Sequence, residues 1–304
     1  MLAKGESFIT LQGMSADALL LAVRGLAERP LPDGTALPTR DGRAVATAFY
    51  EASTRTRLGF QFAARALGLD VIPLDVSASS VNKGESLTDT IRVLADYGVA
   101  ALILRHPDRE SMTVATAASA CPVINAGNGA GEHPVQTLID LAMIYQKFGR
   151  LTNLYVTMTG DALHGRTIHS LIMALALFDN HITVVTDPGL RLSSDLTSLA
   201  VRKTAPRLKE TEFLNSSILK ETDVLYMTRV QAERGSANRP IIMTEQAQQD
   251  LNTDAIVLHP MPRTVELPEW FDADPRAAYL RRNRVGLGVM TYVLQTVIGK
   301  GRTT

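Results

Sequence analysis

Eight short apolar runs, separated by longer stretches with helical periodicity, constrain this chain more than any other feature. They lie at residues 44–50, 69–74, 100–104, 122–126, 154–158, 181–186, 223–227 and 255–258. A parallel strand buried on both faces reads as a continuous apolar run, and strands alternating with helices imply βαβ units. The runs form two sets of about four. Between them, residues 133–148 place Leu138, Leu141, Ile144 and Tyr145 on one helix face. The expected class is α/β: two doubly wound domains, each with a mostly parallel sheet, joined by that long helix. The expected domains are 1–134 plus 286–304, and 135–285. A helix is also expected over 15–29, and a last helix over 286–298 packing back on the first domain. Weak order is expected in the polar loop 235–240 and in the tail GKGRTT.

Charge excludes some functions. Lys plus Arg total 31 and Asp plus Glu total 31 in 304 residues, whereas nucleic-acid binders usually carry a basic surplus. No run of eighteen apolar residues suggests a membrane-spanning helix. The start MLAKGESFIT lacks the apolar core of a signal peptide, so a cytoplasmic location is expected. The single cysteine, Cys121, fits a reducing compartment and reads as a packed thiol.

Open parallel sheets bind ligands outside the carboxyl ends of their strands. Ser53-Thr54-Arg55-Thr56-Arg57 follows the first run, and Arg105-His106 follows the third. The fourth run leads to a glycine-rich turn over 127–131 and then His133; the fifth leads to Gly160, Asp161 and Arg166. Thr228-Arg229-Val230-Gln231 and His259-Pro260-Met261-Pro262-Arg263 follow the last two. An unpaired arginine is costly at a partly buried strand end, so their repetition points to an anionic ligand. The Ser53 turn is the sharpest case. Hydroxyls and a guanidinium there meet the N-terminus of a helix, whose free N–H groups and partial positive charge suit phosphate. The plainer reading is a Ser/Thr helix cap with solvated arginines.

Other motifs are missing. There is no GxxxxGK[ST] phosphate loop, HExxH, CxxC or GxSxG nucleophile elbow. Residues 127–131 lack GxGxxG spacing and read as a flexible turn presenting His133.

Seven segments, in order, resemble the aspartate and ornithine carbamoyltransferases. They are Ser53-Thr54-Arg55-Thr56-Arg57, Lys83-Gly84-Glu85-Ser86, Arg105-His106-Pro107, His133-Pro134-Val135-Gln136, Gly165-Arg166-Thr167, Met227-Thr228-Arg229-Val230-Gln231 and His259-Pro260-Met261-Pro262-Arg263. The last segment, where ornithine enzymes carry His-Cys-Leu-Pro, resembles the aspartate branch, as do the settings of Lys83 and Arg229.

The resemblance implies transfer of the carbamoyl group from carbamoyl phosphate to L-aspartate, an early step of pyrimidine synthesis, with no cofactor and no metal. It implies that Ser53, Thr54, Arg55, Thr56 and Arg105 hold the phosphate. Thr56, Arg105 and His133 then polarise the carbonyl oxygen, and Gln136 with the backbone carbonyls of Pro260 and Met261 receives the amide N–H groups. Lys83, Arg166, Arg229 and Gln231 would hold aspartate. Ser80 (or Ser79) and Lys83 would come from a neighbouring chain of a homotrimer. The resemblance leaves room for a regulatory subunit and marks no surface for it; nucleic acid and membrane are not expected partners. His106 and His164 read as structural. The segment 281–288, rich in arginine, departs from the family pattern of Gln, Asn-Gly and a later Arg. Two other readings are a carbamoyltransferase for another amino acid or amine, and a catalytically silent anion-binding paralogue.

Overall fold

A computed structural model describes residues 5–28, 41–204, 207–230 and 239–299, without side-chain detail at 201–204. Residues 235–238 of the loop expected at 235–240 and most of the tail lie outside the described residues. The chain divides into two compact units. One comprises Met1–Leu11, Gly25–Ile139 and Asn283–Thr304; the other comprises Gln12–Arg24 and Asp140–Arg282.

The first unit carries a four-stranded parallel sheet of β1 (Ala44–Phe49), β2 (Asp70–Leu74), β3 (Ala101–His106) and β4 (Val123–Asn128), in the order β2-β1-β3-β4. The central strands are apolar on both faces because helices cover them. Val45, Ala46, Leu102, Ile103 and Ile124 have at most 1% exposure. β2, at the sheet edge, is the exception, with Ile72 and Pro73 exposed.

Between the strands run α2 (Arg55–Ala66), α3 (Leu87–Asp96) and α4 (Ser111–Ala118); α1 (Ala16–Ala27), near the start of the chain, falls mostly in the second unit. Ser86 caps α3, accepting the N–H of Asp89 at 3.1 Å. The long helix α5 (Pro134–Phe148) leaves the first unit and ends in the second.

The second unit holds β5 (Tyr155–Thr159), β6 (His181–Val185), β7 (Leu208–Thr211), β8 (Val224–Met227) and β9 (Ile256–Leu258), all parallel, in the order β7-β6-β5-β8-β9. Its helices are α6 (Arg166–Leu175), α7 (Ser194–Thr204), α8 (Ser216–Glu221) and α9 (Glu245–Asp250). A core of Leu219, Leu225, Met227, Val257, Leu267 and Phe271 packs under the β8–β9 side.

The last helix, α10 (Arg282–Ile298), returns to the first unit. Gly59 of α2 lies where a Cβ would come within 2.5 Å of Met290 Sδ, so the two helices approach closely. Arg43 donates to the carbonyl of Ile298 at 3.0 Å, fastening the helix end beside β1. The expected architecture of two parallel α/β sheets with a returning C-terminal helix is therefore observed. The sequence reading missed β7, and it began α10 four residues late. Among the described residues no helix is long and apolar enough to cross a membrane.

Candidate active site

Each sheet has one point where the chain runs outward in opposite directions, and ligands of open parallel sheets bind there. In the first unit it lies between β1 and β3; in the second, between β5 and β8. Four of the arginine-bearing turns, those of Arg55, Arg105, Arg166 and Arg229, stand at these two points, whereas the turn of Arg263 follows the edge strand β9.

β1 leads through Glu51 and Ala52 to Ser53 and Thr54, and α2 opens at Arg55. Thr54 occupies the cap position, yet its hydroxyl makes no capping bond. The cap reading therefore does not account for it. Thr56 is buried at 5% exposure, while Arg57 points to solvent. Across the switch point stands Arg105, whose Nη1 lies 3.5 Å from Ser53 Oγ. The β3–β4 register slips between Leu104 and His106, the kind of irregularity that re-aims a strand side chain. Glu51, which the sequence reading gave no role, accepts Arg105 Nε at 3.2 Å and orients the guanidinium. A cleft of about 650 Å³ opens beside this turn, lined in part by Tyr50, Glu51, Ser53, Thr54 and Arg57.

The glycine-rich turn after β4 is not the loose segment expected. Asn128 ties it together: its Oδ1 accepts from Asn125 Nδ2 at 3.1 Å and from the N–H of Glu132 at 2.9 Å. At Gly129, φ is +50°, and a Cβ would fall 2.1 Å from the Pro107 carbonyl oxygen, so glycine is required. The turn delivers His133, at 5% exposure, to the head of α5. His133 Nδ1 accepts the N–H of Gln136 at 3.3 Å, which places the proton of the neutral ring on Nε2, a donor. Gln136 is itself 2% exposed.

Lys83 closes an exposed 3-10 turn, Ser80–Lys83, ahead of left-handed Gly84. Ser79 is occupied within this turn, donating to the Val76 carbonyl at 3.0 Å and accepting from the N–H of Val81 at 3.4 Å. Ser80, by contrast, is exposed.

In the second unit, Gly160 follows β5 with φ +115°, and a Cβ there would lie 2.3 Å from the Thr228 carbonyl oxygen. Both the N–H and the hydroxyl of Thr228 donate to the Thr159 carbonyl at 2.9 Å. This close approach fixes Arg229, next in the chain. On the other side Asp161, fully buried, accepts the N–H of His164 at 2.8 Å and folds the turn that starts α6 at Arg166. Arg166 and Arg229 thus issue from the adjacent ends of β5 and β8. Gln231 lies outside the described residues. Pro260 and Met261 follow β9, and Met261 has φ +61°, rare for a residue with a side chain. His106 serves its own turn, accepting the N–H of Asp108 at 3.0 Å, and burial lowers its pKa. Among the described residues no group of three or more His, Cys, Asp or Glu side chains is placed to hold a metal ion.

Residues 7–146 match the family described as "Aspartate/ornithine carbamoyltransferase, carbamoyl-P binding domain", and residues 152–296 match its "Asp/Orn binding domain". The chain belongs to the aspartate/ornithine carbamoyltransferase family. Among its relatives, the aspartate carbamoyltransferase catalytic subunit of Thermoplasma acidophilum is 37% identical over 97% of this chain and 99% of its own length. The multifunctional protein CAD of Squalus acanthias is 39% identical over 85% of this chain, which spans 12% of that much longer protein. Among solved structures, aspartate transcarbamoylase of Trypanosoma cruzi in complex with N-(phosphonacetyl)-L-aspartic acid superposes with a TM-score of 0.91. It is 33% identical, with 97% of each chain covered.

Proposed function

We propose that this carbamoyltransferase-family chain transfers the carbamoyl group of carbamoyl phosphate to the amino group of L-aspartate, within pyrimidine synthesis. The observation that carries this reading is the placement of cationic and hydroxyl side chains at the switch point of each sheet. The first unit takes the phosphate end: Ser53, Thr54, Arg55, Thr56 and Arg105 bind the phosphate. Thr56, Arg105 and the Nε2–H of His133 draw charge onto the carbonyl oxygen. Gln136 and the carbonyls of Pro260 and Met261 receive the amide. Arg166, Arg229 and Gln231 bind the aspartate carboxylates, joined by Lys83 from a neighbouring chain. Ser80 is the serine that accompanies Lys83, because Ser79 is engaged in its own turn.

The aspartate amine attacks the carbonyl carbon, a tetrahedral oxyanion forms, and the C–O bond to phosphate breaks as the amine's proton passes to the departing phosphate. Positioning and charge stabilisation suffice for such a step. The test is formation of N-carbamoyl-L-aspartate and phosphate from the two substrates. Turnover with a different amine and none with aspartate would overturn the acceptor assignment. Arg55→Ala is expected to lower kcat/KM at least about a hundredfold, as loss of an oxyanion-stabilising donor does; a near-normal rate removes the phosphate assignment.

A further inference from the structure

The loop after β9 is held by a buried ring of hydrogen bonds that the reaction itself does not use. His259 and Glu266 are 1% and 0% exposed, and His259 Nε2 stands 2.9 Å from Glu266 Oε1. On its other side, His259 Nδ1 accepts the N–H of Met261 at 2.8 Å. An accepting Nδ1 bears no proton, so the ring is neutral and Nε2 donates to the carboxylate. Glu266 also accepts the N–H of Thr264 at 2.9 Å and its hydroxyl at 2.6 Å. The far end of the loop is clamped as well. Arg263 donates to both oxygens of Asp272, which also receives the hydroxyl of Tyr279 at 2.5 Å.

A buried charged cluster is a poor stabiliser compared with apolar packing of the same volume. Its value lies in what it fixes, and here that is the left-handed backbone at Met261. Left-handed backbone in a residue with a side chain persists where the surroundings over-determine it, and such residues concentrate at functional sites.

We infer that His259 and Glu266 are positioning residues that aim the Pro260 and Met261 carbonyls and thereby select a carbamoyl donor over an acyl donor of the same shape. The inference rests on the reading that these carbonyls receive the amide N–H groups. Acetyl phosphate carries a methyl in place of the amide and cannot use them, so it isolates the selection from phosphate binding.

The measurement pairs KM for carbamoyl phosphate with the inhibition constant of acetyl phosphate against it. His259→Gln keeps a donor for Glu266 but removes the acceptor for Met261. It is expected to raise KM about tenfold, the worth of one well-placed hydrogen bond, with less than about a twofold change for acetyl phosphate. His259→Asn keeps the acceptor and gives up the Glu266 bond, so it should move the ratio in the same direction but less than His259→Gln does, while melting earlier. The exposed variant Thr264→Val removes one bond to Glu266 without touching the packed ring and should move the ratio the same way as His259→Gln, by about twofold.

A ratio unchanged in both His259→Gln and Thr264→Val overturns the inference. So does a ratio that follows melting temperature across the three variants. If the two His259 variants do not fold, the Thr264→Val result decides. Should the unmodified chain make no carbamoylaspartate, the underlying functional reading has failed instead.

Discussion

Glu266 is a carboxylate without solvent contact, and acid titrates what holds it. Burial alone would raise its pKa; hydrogen bonds from His259 and Thr264 overcome burial and lower it from 4.5 to about 2. Asp274, hydrogen-bonded by Arg276 against the opposing effect of burial, is likewise lowered to about 2. Both folded-state values lie below the unfolded ones. The stability they contribute is therefore complete above the unfolded pKa values and is lost as pH falls toward the folded ones. Glu266 is worth about 3 kcal/mol and Asp274 about 2 kcal/mol. The urea midpoint should fall steeply as pH drops from 4.5 toward 2, and Glu266→Gln should flatten that fall; an unchanged slope would contradict the assignment. None of this was legible in the sequence, where Glu266 sits in no motif. The arginines and hydroxyls were legible because charge at a strand end is conspicuous. The carboxylates that brace these turns, half-buried Glu51 and buried Asp161 and Glu266, look like any other acidic residue.

At the scale of elements, the junction of β5 and β8 depends on how closely two backbones approach. Gly160→Ala meets both a positive φ and the Thr228 carbonyl oxygen, so a stability loss of about 1–3 kcal/mol is expected. Because Thr228 must shift, KM for aspartate should rise through Arg229. Gly98→Ala is the control, with φ +76° and open space around the new methyl. Equal KM values in the two variants would separate the junction from aspartate binding. The apolar runs announced the other eight strands, because a strand buried on both faces has no polar alternation. β7, Leu-Lys-Glu-Thr, escaped notice as a half-exposed edge strand. The first turn of α10, Arg282-Asn283-Arg284, lacks the apolar stripe that marks the rest of the helix. The slip at Arg105 is a property of pairing between strands, which a single sequence does not display.

For the whole molecule, the proposed trimer with sites shared between chains makes a prediction that monomer chemistry does not. Arg55→Ala and Lys83→Ala chains should each be inactive alone. Mixed and reassembled, they should regain part of the activity, since some sites then combine an intact Arg55 with an intact Lys83 from the neighbour. Mixtures that remain inactive would place both residues in one chain's own site. The neutral total, 31 cations against 31 anions, hides the local excess of arginine at the strand ends. That placement has an evolutionary consequence. Most of the side chains assigned to the substrates stand at or just beyond the carboxyl ends of the strands, although Thr56, His133 and Gln136 are buried. Replacing the residues that follow Arg229 is expected to alter which acceptor amine is welcome more than it alters the fold. A lineage built on this scaffold is free to drift among acceptors one loop at a time.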